Sequence, residues 1–370
     1  MANAASLQSR LEALLRDLVA TGTERGAQVA VYHRGELIAD AWGGTTDASG
    51  QVPIDGETLF PVFSVTKGIT STLVHRLVER GQLDCGAPLA RYWPEYGCRG
   101  KEAITIGQAL SHQAGLPQMP GHLRLGDLPD WDRVCAALAE LEPLWAPGSR
   151  HEYHAMSWGW LVGEPACRVT GLDFPTLLER EIKAPLGIER LFIGCPRPED
   201  DAIATLEDPF APSEFPRTDR PESIPWWTQP LYDLMNRDEA RRACMPGASG
   251  LMNARSIARV YAALAPRGVD GVRLLSPATV ARAKAPIPLP DGSVPEHGLG
   301  YLLGTHKAVM GNRPGTFGHG GHGGSFGYYD PELDLAFGFT HNRLTRPDDV
   351  PDGGIHQVAA MVRASLAGSS

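Results

Sequence analysis

A serine three residues before a lysine can be a nucleophile beside its own base. The chain holds one such pair, Ser64-Val65-Thr66-Lys67, and its other lysines, at 101, 183, 284 and 307, supply no second S-x-x-K. The extended run Thr58-Leu59-Phe60-Pro61-Val62-Phe63 leads into Ser64, and the pattern predicts a helix from about Ser64 to Arg80, stopped at Gly81. A serine at the first turn of a helix lies beside unsatisfied N–H groups and the positive end of the dipole, which favour an alkoxide-like oxygen. A lysine three residues on returns to the same face one turn deeper. If it is buried there, its pKa falls and a neutral amine can take the serine's proton. A capping serine with a snorkelling surface lysine would show the same spacing.

Two other segments bear on that choice. Tyr153 stands in Pro147-Gly148-Ser149-Arg150-His151-Glu152-Tyr153-His154-Ala155, a loop before an expected helix, where it is either a packed aromatic or a proton-transfer group. Gly318-His319-Gly320-Gly321-His322-Gly323-Gly324-Ser325 is a glycine-rich approach to a strand, able to bring bare backbone N–H groups to a ligand. Gly323-Gly324-Ser325-Phe326-Gly327 also fits G-x-S-x-G, but a nucleophile elbow needs a helix after its serine. Here Gly327-Tyr328-Tyr329-Asp330-Pro331 predicts strand and turn, so Ser325 is not the expected nucleophile. The pairs His151/His154 and His319/His322 lack H-E-x-x-H spacing, and the second lies in a flexible loop, so neither metal nor cofactor is expected. Ile104 to Pro117 shows no chemistry of its own.

These groups must be held by a scaffold. Leu7, Leu11, Leu14, Leu15 and Leu18 predict an opening amphipathic helix, and Ala27–Tyr32 with Glu36–Trp42 a hairpin turning at Arg34-Gly35. Helices are expected over Ile106–Gln113, with Thr105 as N-cap and Gly115 as stop, and over Ser157–Val169, Phe174–Lys183, Ala254–Leu264 and His356–Leu366. Gly298–Gly304 reads as strand, and Ser325–Tyr329 with Leu333–Thr340 as a second hairpin. Between 195 and 230 lie eight prolines, with Trp226-Trp227 near the end, a segment expected to wall a pocket as a covering loop. The chain ends thus read as mixed α/β and the middle as helical.

Composition excludes several function classes. The 370 residues are 42% hydrophobic and 21% charged, ordinary for a globular chain and wrong for disorder. A net charge of −9 disfavours a nucleic-acid or anionic-membrane partner. No apolar run approaches the roughly 18 residues of a membrane span, and Met1–Arg16 does not read as a signal peptide. Six cysteines without a C-x-x-C pair read as buried thiols, and the expected location is cytoplasmic. Nothing in the pattern specifies an oligomeric state.

Taken in order, Phe63-Ser64-Val65-Thr66-Lys67, Ile104–Pro117, Pro147-Gly148…Tyr153, Pro246–Ala254 and His319-Gly320-Gly321 resemble the motifs of the serine β-lactamase-like superfamily. That superfamily includes class C β-lactamases, DD-peptidases and family VIII carboxylesterases. The resemblance implies an α/β (α+β) fold with an antiparallel sheet flanked by helices, built from residues 1–75 and 241–370. A mainly helical domain, 76–240, would be inserted between them. It further implies Ser64 as the acylated nucleophile, Lys67 and Tyr153 as its general acid/base pair, and the backbone N–H groups of Ser64 and His322 as the oxyanion hole. His319, Gly320 and Gly321 would contact substrate in place of the family's K-T-G, and Trp226 and Trp227 are expected to join them. Two departures matter: Ala155 replaces the asparagine of Tyr-x-Asn, and His319 replaces the lysine of K-T-G, removing a fixed positive charge. Both move the expectation toward a carboxylesterase acting on small-molecule esters with short acyl chains. An acyltransferase using the same acyl-enzyme, a weak β-lactamase or DD-peptidase acting on amides, and a catalytically silent binding protein are the alternatives.

Overall fold

Arg34 and Gly35 both take positive φ, 52° and 81°, the twist with which a two-residue hairpin turn matches right-handed strands. They join β1 (Gly26–His33) to β2 (Glu36–Gly44) as expected. The protein, here a computed structural model, is described over residues 2–200, 202–211, 222–345 and 353–367. The remaining strands are β3 (Phe60–Pro61), β4 (Leu191–Ile193), β5 (Gly250–Met252), β6 (Leu302–Leu303), β7 (Phe317–Gly320), β8 (Phe326–Asp330) and β9 (Leu335–His341). The α-helices up to residue 186 are α1 (Ala2–Ala20), α2 (Val65–Glu79), α3 (Ile106–Leu110), α4 (Trp131–Ala139), α5 (Trp158–Thr170), α6 (Phe174–Leu178) and α7 (Ala184–Leu186). They are followed by α8 (Leu231–Asn236), α9 (Asp238–Arg242), α10 (Ala254–Ala262), α11 (Pro277–Ala283) and α12 (Gly354–Ala367).

The larger sheet runs β2-β1-β9-β8-β7-β6, antiparallel throughout, so the two ends of the chain meet where β1 pairs with β9. Leu7, Leu11, Leu15 and Leu18 of α1 bury against one face with Val358 and Val362 of α12, which is why their spacing was legible. On the other face α10 presses so close that the sheet must be bare beneath it. A Cβ on Gly338 would stand 2.2 Å from the Ala254 carbonyl oxygen, and one on Gly327 2.3 Å from Ile257. A smaller sheet, β3-β5-β4, seats the strand that leads to Ser64.

Helix α2 is buried on almost every side from Val65 to Leu77, so its hydroxyls must find partners inside the protein. Thr70 Oγ1 donates to the Pro246 carbonyl at 2.7 Å, Ser71 Oγ to that of Gly300 at 2.9 Å, and Thr66 Oγ1 accepts from the Gly250 N–H at 2.9 Å. These bonds lock the helix between segments 246–250 and 300.

The structure departs from the expected elements in four places. Helix α3 has the expected Thr105–Gln108 capping box but ends at Leu110, because His112 takes φ 60° and closes the helix. The His112 N–H bonds the Ala109 carbonyl and the Gln113 N–H that of Gln108, a Schellman closure with histidine where glycine is usual. The helix expected over 174–183 passes through a π-turn at Glu179–Lys183. Of Gly298–Gly304 only Leu302–Leu303 becomes strand, since Gly300, at φ 94°, bends the chain against α2. The Pro-rich segment is not wholly irregular: short 3-10 turns form at Pro198–Asp200 and Trp226–Thr228, and Ile203 and Glu207 bridge to Leu59 and Arg343. Its residues 201 and 212–221 lie outside those described. All six cysteines are free thiols, and no described helix is long and apolar enough to cross a membrane.

The tight seat of α10 is testable. Gly338→Ala should cost about 1–3 kcal/mol in urea unfolding, the range for overpacking. An unchanged midpoint would mean that α10 slides freely over the sheet.

Candidate active site

Phe63 is held at φ 46°, a region that costs a bulky residue strain and that clusters at functional sites. This twist turns the chain from β3 into α2 and leaves Ser64 at the helix N-cap with its side chain making no capping bond. Its Oγ is therefore not committed to the structural role that the same sequence position would allow. Lys67 Nζ lies 3.1 Å from it.

The surroundings of Lys67 decide its chemistry. The side chain is fully buried, and Nζ sits 2.8 Å from the carbonyl oxygens of both Ala155 and Gly247. Burial holds the amine well below the usual lysine range, and no opposite charge restores it. A neutral amine has two hydrogens and one lone pair. In that neutral form, which burial favours, the two carbonyls can take both hydrogens and leave the lone pair toward the Ser64 hydroxyl. Lys67 Nζ thus lies within hydrogen-bond reach of the Ser64 hydroxyl and of two carbonyl oxygens at once.

Tyr153 completes this group. It lines the same cavity as Ser64, its ring centroid is 4.8 Å from Lys67 Nζ, and burial pushes its pKa above the ordinary phenol value. At neutral pH the phenol therefore keeps its proton. The loop carrying it is braced by the 104–117 segment, for which sequence alone showed no role. The Glu152 N–H donates to the His112 carbonyl, the His154 N–H to His112 Nδ1, and the Leu116 N–H to His154 Nε2. Because His154 Nδ1 also donates to the Glu152 carbonyl at 2.6 Å, both its nitrogens are occupied and it is no metal ligand.

Histidines surround the phenol. Ring centroids lie 4.6 Å apart for His112 and Tyr153, 4.8 Å for His112 and His297, and 5.9 Å for His297 and His319. Burial lowers them all: His319 to about 3, His154 to about 4, and His112 and His297 well below the normal value. His319, whose Nδ1 donates to the Gly320 carbonyl at 2.8 Å, is consequently uncharged. The charged groups lining the cavity, Lys307 and Glu296, pair with each other at 3.1 Å.

A cavity of about 330 Å³ opens onto Ser64, Tyr153, His319, Gly320 and His322. Its apolar wall comes from Met156, Ile224, Leu231, Leu234, Met235 and Met245. Trp226 and Trp227, expected there, do not line it. The 3-10 turn at 226–228 carries Trp227 against the main core and leaves the flanking Ile224 and Leu231 to face the cavity. Gly321 is also not a lining residue. It lies flat on the backbone before Ser64, where a Cβ would be 2.1 Å from the Val62 carbonyl oxygen. Ser325 is buried outside the cavity and is followed directly by β8, so no nucleophile elbow exists. His112, His297, Met235 and Met245 were missed because their approach to Ser64 depends on contacts between segments distant in sequence.

The whole chain is similar to several known proteins. The Beta-lactamase family profile matches residues 11–360. The esterase/beta-lactamase LipL of Mycobacterium tuberculosis is 35% identical over 342 residues, 87% of this chain and 78% of that protein. A family VIII carboxylesterase crystal structure superposes with a TM-score of 0.83 at 31% identity, covering 96% and 97% of the two chains. A penicillin-binding protein homolog from Caulobacter crescentus gives 0.83 at 32% identity, covering 97% of each.

A neutral Lys67 would have a signature in pH. Its amine becomes a base as pH rises through its lowered pKa, so phosphonylation of Ser64 by an uncharged fluorophosphonate should speed up through that range and then level off. The limb should vanish in Lys67→Ala. A rate that climbs only near pH 10 would show an ordinary, charged lysine.

Proposed function

The chain belongs to the beta-lactamase family and is a serine hydrolase of that superfamily, and we propose that it cleaves uncharged carboxylic esters of short acyl chain through an acyl-enzyme on Ser64. The observation that carries this reading is the placement of Lys67 Nζ between two carbonyls with its remaining valence toward Ser64 Oγ. In the proposed sequence the Ser64 hydroxyl proton passes to Lys67 as Oγ attacks the ester carbonyl. The N–H groups of Ser64 and His322 hold the oxyanion. On collapse, the departing alkoxide takes the proton of Tyr153, and the phenolate recovers one from the Lys67 ammonium. The products are the acyl-serine and an alcohol, with both partners neutral again. Water then replaces the alcohol and the steps reverse, releasing the acid.

Substrate class follows from charge. Among the described residues, a neutral His319 and a self-paired Lys307–Glu296 offer no free cation to a substrate carboxylate, and the Ala155 side chain offers no amide to a lactam side chain. The apolar wall favours an alkyl acyl group, each buried methylene being worth about 0.8 kcal/mol, or about fourfold in kcat/KM, until the cavity is full.

Steady-state hydrolysis of a p-nitrophenyl ester series tests this. Ser64→Ala should abolish turnover and Ser325→Ala should not. Tyr153→Phe should lower kcat by about 10²-fold with the fold retained. Full activity in Ser64→Ala would refute the nucleophile, and near-normal acylation in Tyr153→Phe would return that residue to a packing role.

A further inference from the structure

Glu24 and His341 lie far apart in sequence and meet at the end of the larger sheet, both side chains without solvent exposure. His341 closes β9, opposite Ala27 of β1. Its Nδ1 is 2.8 Å from Glu24 Oε2, and its Nε2 is 2.8 Å from the carbonyl oxygen of Gly323. A carbonyl only accepts, so Nε2 must carry a hydrogen, while Nδ1 faces the Glu24 carboxylate. Both ring nitrogens are thus held in place, Nε2 as the donor to Gly323. Burial alone would lower its pKa, but the Glu24 carboxylate and the bond to Gly323 reverse that, and the net shift is upward. A Cβ on Gly354, the first residue of α12, would be 2.2 Å from Glu24 Oε1, so the carboxylate is packed tightly against the start of that helix.

The carbonyl that His341 grips belongs to the turn of the active site. Gly323 O also accepts from the Thr345 N–H at 2.7 Å and Thr345 Oγ1 at 3.1 Å. The turn itself is closed by the Gly324 N–H on the Gly321 carbonyl at 3.1 Å. Gly323 and Gly324 sit at φ 86° and 122°, and a Cβ on Gly324 would stand 2.8 Å from His341 Nε2. Glycines of this kind permit the turn but do little to fix it. Between Gly321 and Gly323 stands His322, which lines the cavity and packs its ring against Phe63 at 5.4 Å.

We infer that His341, oriented by Glu24, is a positioning residue that clamps the Gly323 carbonyl and thereby holds the His322 N–H where an oxyanion forms. The inference rests on the acyl-enzyme reading above. Neither side chain touches substrate. A displaced oxyanion donor weakens the transition state more than the ground state, so the effect belongs in kcat.

The test uses two amides of different reach. In His341→Gln the amide nitrogen falls near the place of Nε2 and can still donate to Gly323, whereas in His341→Asn it falls near Nδ1 and cannot. With a p-nitrophenyl ester, His341→Asn should lose at least about tenfold in kcat with KM little changed. His341→Gln should stay within about threefold of the parent. Thermal unfolding confirms folding of each. Equal kcat in the two variants, whether both normal or both impaired, overturns the clamp. Should His341→Asn fail to fold, Thr345→Val decides, since it removes one donor from the same carbonyl. A fall of about threefold in kcat at constant KM then supports the clamp, and an unchanged kcat overturns it. Intact mass of the parent enzyme after ester addition separates the two failures. Without an acyl adduct on Ser64 the site reading itself fails, and with one, unchanged kinetics reject the clamp alone.

Discussion

A primary amine buried without a counter-ion is the constraint around which this site is built. Lys67 is fully enclosed, and charging it there would be expensive. The neutral form is acceptable only if its two hydrogens find acceptors, and the carbonyls of Ala155 and Gly247 provide them. That requirement reaches outward. Ala155 belongs to the loop braced by His112 and Leu116, and Gly247 to the segment that Thr70 and Thr66 tie to the same helix. The central position of α2, the convergence of two distant loops and the exposure of Ser64 to a cavity are therefore parts of one solution.

The same burial sets the electrostatics of the cavity. Five histidines could have made the site cationic, yet His112, His151, His154, His297 and His319 all have their pKa values lowered, chiefly by desolvation. Tyr153 is shifted upward for the same reason. Desolvation thus favours the uncharged forms of these side chains around Ser64. The contrast with the far side of the turn is physical. There the Glu24 carboxylate buried beside His341 helps push the ring's pKa upward.

Much of this was legible in one dimension because it is locally determined. Periodicity exposed α1 and the first hairpin, and Ser64-x-x-Lys67 is a single-turn relationship that any helix must satisfy. Other features depend on direction rather than on pattern. Trp226 and Trp227 read as pocket residues by their hydrophobicity, but a three-residue turn points Ile224 and Leu231 inward instead. The end of α3 escaped because His112 adopts a conformation normally left to glycine, held there by the tyrosine loop packed on it. The histidine cluster was hidden for a related reason: apart from the His151/His154 pair, its members at 112, 297 and 319 are brought together only by the fold.

The protonation of Lys67 is the most direct measure of whether this account is right. Nitrogen-15 spectra of lysine-labelled protein at pH 7 resolve charged from neutral amines, and the chain has only five lysines. One side-chain resonance should appear at the neutral-amine position and disappear in Lys67→Ala. If all five side chains report ammonium at that pH, Lys67 is not the base, and the arrangement around Ser64 must act in another way.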